Sequence, residues 1–90
     1  MLNKKIIFMG TPQIASTYLD SLIKNKYNII AVFSQPPRKK GRGMKLEKSP
    51  VHSLASLNNI SVFTPSYFND DQEKKNIEKL NPDLIIVMAY

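Results

Sequence analysis

A chain of 90 residues with 42% hydrophobic and 22% charged side chains makes one small folded domain and excludes a polar disordered chain. It has no cysteine, which excludes a disulfide framework and a zinc–thiolate site. The formal net charge of +6 is unevenly spread: Gln35 to Ser49 holds Arg38, Lys39, Lys40, Arg42, Lys45 and Lys48 against the single acid Glu47, and the rest of the chain is close to neutral.

Ile6-Ile7-Phe8-Met9 is a continuous apolar run, the pattern of a strand covered on both faces, as in a parallel sheet. With Met1 to Lys5 before it, the run has the look of a secretion signal. Its apolar part is too short for one, and Gly10-Thr11-Pro12 ends it as a turn without a small-residue cleavage site. No apolar run approaches the ~20 residues of a membrane span, so the protein is expected to be cytoplasmic. Thr11 is suited to cap a helix, and Pro12 to its first position, where a missing N–H has no intrahelical partner. Ile14, Ala15, Tyr18, Leu19, Leu22 and Ile23 then recur at helical spacing as one apolar face. Lys24 and Lys26 complement the negative end of the helix dipole. Asn25 to Asn28 reads as a connection, and Ile29-Ile30-Ala31-Val32-Phe33 as a second buried strand.

Gln35 to Ser49 reads as a long basic loop. Pro36 and Pro37 stiffen its entry, and Gly41 and Gly43 free the backbone around Arg42. Such a loop is either a grip on a polyanion or a solvated surface segment. Ser49-Pro50 is a second cap-and-proline start, followed by a short helix with Val51, Leu54, Ala55 and Leu57 inward and Asn58-Asn59 as its break. Ile60-Ser61-Val62-Phe63 alternates, as expected of a short strand at a sheet edge, and Thr64-Pro65 closes it. Tyr67 to Leu80 reads as a helix, with Asp70, Asp71 and Glu73 early and Lys74, Lys75 and Lys79 late. Ile77 and Leu80 are expected to face the core, with Tyr67 or Phe68 over the start of the helix. Asn81-Pro82-Asp83 is a stop and a turn. Leu84 to Tyr90 is the most apolar run, expected in the middle of a sheet; because an uncovered apolar edge is an aggregation hazard, these residues are expected to be the front of something larger.

The order strand, helix, strand, loop, helix, strand, helix, strand implies an α/β fold with a parallel sheet and helices on both faces. Ligands of such sheets bind at the carboxyl ends of the strands, and helix N-termini present N–H groups to anions. Gly10-Thr11-Pro12 is thus a ligand contact or simply a capped turn; with one glycine it is not the dinucleotide fingerprint. The single histidine, His52, has no acid or nucleophile at a telling spacing and reads as a surface residue. Asp70, Asp71 and Glu73 read as an acidic helix start, not a metal site. Ser34 and Ser49 lack a nucleophile's context. On these residues alone, a non-catalytic RNA-binding module and a nucleotide-binding domain both stay open.

The motifs taken in order carry more. Ile6 to Pro12, Val32-Phe33-Ser34-Gln35-Pro36, Gly41-Arg42-Gly43 with Lys45-Leu46, Ser49-Pro50-Val51, Val62-Phe63-Thr64-Pro65 and Asn81 to Tyr90 resemble, in order and spacing over the whole chain, the start of the methionyl-tRNA formyltransferases. Formyltransferases acting on sugar nucleotides or purine precursors share the strand pattern but typically lack the Gly-Thr-Pro turn and the basic Gly-Arg-Gly loop. The resemblance implies a Rossmann-like doubly wound parallel sheet, the N-terminal half of the formyltransferase fold, with residues 1–90 as part of that domain and 35–49 as its basic insertion loop. It implies transfer of formyl from 10-formyltetrahydrofolate to the methionyl amino group of initiator tRNA, in translation initiation. The implied partner is initiator methionyl-tRNA, with no membrane, no metal and a monomer in the full-length family. Arg38, Lys39, Lys40, Gly41, Arg42, Gly43 and Lys45 would bind the tRNA, with Arg42 at the acceptor stem and its basic neighbours on phosphates. Gly10, Thr11 and Pro12 would lie beside the aminoacyl end. The family's Asn–His–Asp catalytic constellation and its folate-binding Ser-Leu-Leu-Pro segment come after the position of Tyr90, so no catalytic residue is expected within these 90 and the chain is not expected to be active alone. Two departures stand out: Gln13 and Ile14 replace the family's common acid and phenylalanine, and Pro37-Arg38-Lys39-Lys40 replaces Asp-Arg/Lys-Pro-Ala.

Overall fold

The continuous apolar runs become the strands of one sheet. The computed structural model describes residues 3–66 and 70–90. In chain order it contains β1 (Lys5–Gly10), α1 (Gln13–Lys24), β2 (Asn28–Phe33), β3 (Arg38–Lys40), β4 (Lys45–Glu47), α2 (Pro50–Leu57), β5 (Val62–Phe63), α3 (Asp70–Leu80) and β6 (Leu84–Met88). The main sheet runs β5-β2-β1-β6 and every pairing in it is parallel.

Because side chains alternate across a strand, β1 feeds two cores. Ile6 and Phe8 pack with Ile29 and Val32 of β2, under Ala15 and Leu19 of α1 and Val51 and Ala55 of α2. Ile7 and Met9 pack with Ala31 and Phe33, against Ile77 and Leu80 of α3. Helices therefore cover both faces, as the alternation of elements predicts. The β1–β2 register slips by one residue, from Ile6 opposite Ile29 to Ile7 opposite Ala31, which leaves Ile30 as the bulged residue. The bulge lets Ile30 and Ala31 both serve the α3 side. Phe33 and Phe63 stack there with ring centroids 4.9 Å apart.

The helices and the main sheet depart from the sequence reading in four places. First, α1 begins at Gln13, and Pro12, not Thr11, is its N-cap, with no side-chain cap bond. Second, its buried line is Ala15, Ser16 and Leu19, while Ile14 and Tyr18 are 67% and 56% exposed. Small residues win that face because α1 crosses its neighbours closely: Ser16 Oγ donates to the Pro50 carbonyl at 3.4 Å, and Ala15 lies against Gly10. Third, Leu57 ends α2 exposed. Fourth, β6 lies at the edge of the described sheet, not in its middle, with Leu84, Ile85 and Val87 partly exposed. Its start is held by Asp83, whose N–H donates to the Lys5 carbonyl at 2.7 Å and whose carboxylate accepts from the Lys5 N–H at 2.8 Å. The second helix keeps its expected start, since Ser49 Oγ accepts from the His52 N–H at 3.0 Å with Pro50 following. The expected packing of Tyr67 or Phe68 falls outside the described residues.

Gly10 is a point of close packing. A Cβ there would sit 2.7 Å from the Met88 carbonyl oxygen, 2.8 Å from Phe8 Cε2 and 2.9 Å from Ala15 Cβ. Gly10→Ala should therefore lower unfolding free energy by about 1–3 kcal/mol. Leu57→Ser, at an exposed position, should stay within about 0.5 kcal/mol. Urea denaturation of the two variants beside the parent chain measures both.

Candidate functional site

In the sheet order, β1 leads to β2 and then β5 on one side, and the chain returns to β6 on the other side of β1. The connections diverge at the carboxyl ends of β1 and β6, which is where open α/β sheets bind ligands. The hydroxyl of Thr11, just past β1, donates to the Tyr90 carbonyl at 3.1 Å and accepts from the Gln35 N–H at 3.2 Å. Gln35 Nε2 donates to the same carbonyl at 3.1 Å. These bonds take Thr11 away from capping α1: a hydroxyl that already serves two long-range partners is not turned toward its own helix. The Thr11 carbonyl in turn accepts the Val51 N–H at the start of α2, at 3.3 Å. Beside this junction opens a cleft of about 680 Å³.

The basic segment forms the outer wall of that cleft, and it is not a loop. Arg38 to Lys40 and Lys45 to Glu47 pair antiparallel as a hairpin. Its turn runs Gly41-Arg42-Gly43-Met44, closed by the Met44 N–H on the Gly41 carbonyl at 3.3 Å. Gly41 and Gly43 have φ of +71° and +81°, values that side-chain-bearing residues rarely adopt. At the other end the hairpin leaves and rejoins the body through Ser34 and Ser49, whose hydroxyls share a hydrogen bond; Ser34 is fully buried. The register puts Arg38 opposite Glu47 and Lys40 opposite Lys45 on one face, with Lys39 opposite Leu46 on the other. Directly opposed like charges destabilise a strand pair, so the Lys40–Lys45 pair favours an anion between or beside its ammonium groups. Among the described residues the one ion pair is Lys24–Asp20 on α1, at 2.9 Å, and it involves no hairpin residue.

The candidates read from sequence distribute as follows. Thr11, Pro12, Arg38 and Lys40 line the cleft. Gly10 is buried beneath it, where its lack of a side chain admits β6 and α1. Gly41, Arg42 and Gly43 are at the exposed tip, Lys39 is on the opposite face, and Lys45 faces Lys40. Gln35, Glu47, Lys48, Ser53 and Tyr90 also line the cleft; of these Ser53 carries no sequence signal, and Gln35, Glu47, Lys48 and Tyr90 enter the sequence reading only as parts of the basic segment or of the motifs, with no site role. Glu73, read as part of an exposed acidic start, is 5% exposed and accepts from Asn76 Nδ2 at 3.2 Å. Its spacing to Ile77 and Leu80, i, i+4 and i+7, was the available signal. Burial, and then the Glu73 carboxylate, push the Tyr90 phenol above its ordinary range. His52 is half-buried, not a surface side chain, and its Nδ1 is buried with no partner among the described residues. Desolvation, with Lys48 second, holds its imidazole below the usual 6.5. No cluster of three or more potential metal ligands occurs among the described residues, and no helix there is long and apolar enough to cross a membrane.

Fold and site together define a doubly wound α/β domain whose crevice, at the divergence of its strand connections, is walled by a cationic hairpin. The chain belongs to the formyl transferase family, whose pattern it matches over residues 4–90. It is similar to the methionyl-tRNA formyltransferases of Rickettsia felis, at 48% identity, Kosmotoga olearia, at 45%, and Rickettsia bellii, at 43%. Each similarity covers 96% of this chain, and the chain spans 28% of the length of each relative.

Two measurements check the site's supports. Thr11→Val removes one donor and one acceptor from the junction and should cost about 1–3 kcal/mol in urea denaturation, with Thr11→Ser restoring most of it. Because folding depresses the His52 pKa, the unfolded chain binds its proton first as pH falls. Stability should be complete above 6.5 and decline as pH drops from there toward the lower folded value. His52→Gln should flatten that part of the profile, and as His52 is the only histidine the slope is its own.

Proposed function

We propose that this chain is the RNA-holding part of a methionyl-tRNA formyltransferase, acting in the cytoplasm at the start of protein synthesis. The enzyme would move a formyl group from 10-formyltetrahydrofolate to the amino group of methionine on initiator tRNA. The observation that carries this reading is the convergence of Arg38 and Lys40, from one face of the hairpin, and Lys48 on the cleft at the ends of β1 and β6. Strand-end crevices in such sheets hold the reacting ligand, and cations spaced along a hairpin suit successive phosphates.

In this reading Arg38, Lys40 and Lys45 neutralise backbone phosphates from the cleft side. Arg42 reaches outward from its glycine-flanked turn to the acceptor stem, and Lys39 meets phosphate from the far face. Thr11 and Pro12 form the floor on which the aminoacyl end rests, with Gly10 supporting them from below. Residues 1–90 would then be one part of the formyltransferase N-terminal domain. A chain spanning 28% of its relatives is consistent with that. No step involving the formyl donor is assigned to these residues.

Binding of initiator tRNA to this chain across a salt series tests the proposal. The logarithm of affinity should fall linearly with the logarithm of salt concentration. Replacing Arg38, Lys40 or Arg42 by alanine should each reduce the slope by about 0.9 for a duplex phosphate, or about 0.7 for a single-stranded one. Lys24→Ala, at a paired lysine on α1, should leave the slope unchanged. Unaltered binding by all three hairpin variants at every salt concentration would overturn the reading.

A further inference from the structure

We propose that Glu73 is a positioning residue of the cleft: from α3 it holds the Tyr90 side chain, and through Tyr90 it fixes the floor on which the aminoacyl end rests. This rests on the RNA-binding reading above. Glu73 is the only buried ionisable side chain among the described residues. A buried carboxylate is costly unless its surroundings compensate it. Its bond from Asn76 comes from its own helix and would form as well on an outward face, so it does not explain why the carboxylate points inward. The sheet does. Because β5 and β6 run parallel, α3 carries the chain back between them, and its first turn lies at the carboxyl ends of the strands. Glu73 is in that turn, in line with Ile77 and Leu80, which pack on Ile7, Met9, Ala31 and Phe33, as Tyr90 does. Tyr90 is thus gripped from two sides. Its carbonyl takes the Thr11 hydroxyl and the Gln35 amide, and its phenol, kept protonated by burial and the Glu73 charge, is a donor facing a group that only accepts. The backbone between β6 and Tyr90 needs that grip: Ala89 lines the cleft with φ of +51°, a conformation that a residue with a side chain keeps only where its surroundings impose it.

Fluorescence anisotropy with an acceptor-stem RNA hairpin carrying methionine on a stable 3′-amide, beside the same RNA without the amino acid, tests this on the 90-residue chain. The parent should bind the methionyl RNA the tighter. Glu73→Gln keeps the shape and the Asn76 bond but not the charge, and should cut that preference by about three- to fivefold, the difference between a charged and a neutral acceptor. Tyr90→Phe keeps the ring and removes the donor, and should cut it by a similar factor. Because the two residues act as one contact, the double variant should lose no more than the larger single loss. Tyrosinate absorbance should show the Tyr90 ionisation, identified by its absence in Tyr90→Phe, moving down toward the ordinary range in Glu73→Gln. Glu78→Gln, at an exposed position on the same helix, should change neither readout. Full preference in Glu73→Gln, an unmoved Tyr90 ionisation, or losses that multiply in the double variant overturns the assignment while leaving RNA binding intact. Equal binding of both RNAs by the parent overturns the aminoacyl floor and this proposal with it, and failure to bind either at low salt overturns the RNA reading as well.

Discussion

A single hydroxyl joins the ends of three strands. Thr11 follows β1, Gln35 follows β2 and Tyr90 follows β6, and the Thr11 side chain donates to one of these segments and accepts from another. In a parallel sheet the strands end side by side with their last backbone groups unpaired, and a buried group left so costs as much as a lost hydrogen bond. Sharing those groups through Thr11 and Gln35 satisfies them without adding another strand or helix. The arrangement also fixes the floor of the cleft, because the Thr11 carbonyl receives the first helical N–H after Pro50. The position of α2, and hence the foot of the hairpin, follows from the same residue.

The hairpin is held at its foot and charged along its length. Ser34 and Ser49 close its base through a part-buried hydrogen bond, and Ser49 also caps α2. Between them, pairing is limited to three residues a strand, with Lys40 facing Lys45. A two-stranded ribbon of that length has marginal stability in water, and the opposed lysines lower it further. A bound anion relieves that repulsion, so ligand binding and hairpin order are thermodynamically linked: whatever favours one favours the other. This stays local to the wall, since the strands and α2 are set by bonds that do not pass through the hairpin tip.

The sheet was legible because β1, β2 and β6 are written as continuous apolar runs and β5 as a short alternating one; among these, β1 is the strand the described sheet buries most completely. The start of α2 was legible because a Ser-Pro cap is a local affair, completed within three residues. The start of α1 was not. Thr11 and Pro12 have the same local chemistry, but the deciding partner of Thr11 lies 79 residues away. Ile14 and Tyr18 misled because periodicity ranks residues by hydrophobicity, while the crossing at Gly10 and Pro50 rewards the small side chains Ala15 and Ser16. The hairpin was read as a loop because lysine and arginine carry no alternating apolar signal. Its pairing is written in the turn, where two glycines adopt left-handed backbone. Glu73 was hidden by its charge, although its spacing matches the inward residues of α3.

The cleft is divided between a hydrogen-bonded floor and a wall whose charged groups form no ion pair among the described residues. The Thr11 hydroxyl is committed to the fold as both donor and acceptor, and Gln35 commits its backbone N–H and one Nε2 bond. Arg38, Lys40, Glu47 and Lys48 stand around this floor with no ion pair among them in the described residues. Shape therefore comes from groups that cannot change partners without loosening three strands. Charge recognition comes from groups that can change partners at little cost to the fold. In the proposed role, a substitution in the floor should alter stability and binding together, whereas one in the wall should alter binding and the local order of the hairpin but leave the main sheet unchanged, because the side-chain hydrogen bonds of Thr11 and Gln35 run to each other and to Tyr90, and none of them to the wall.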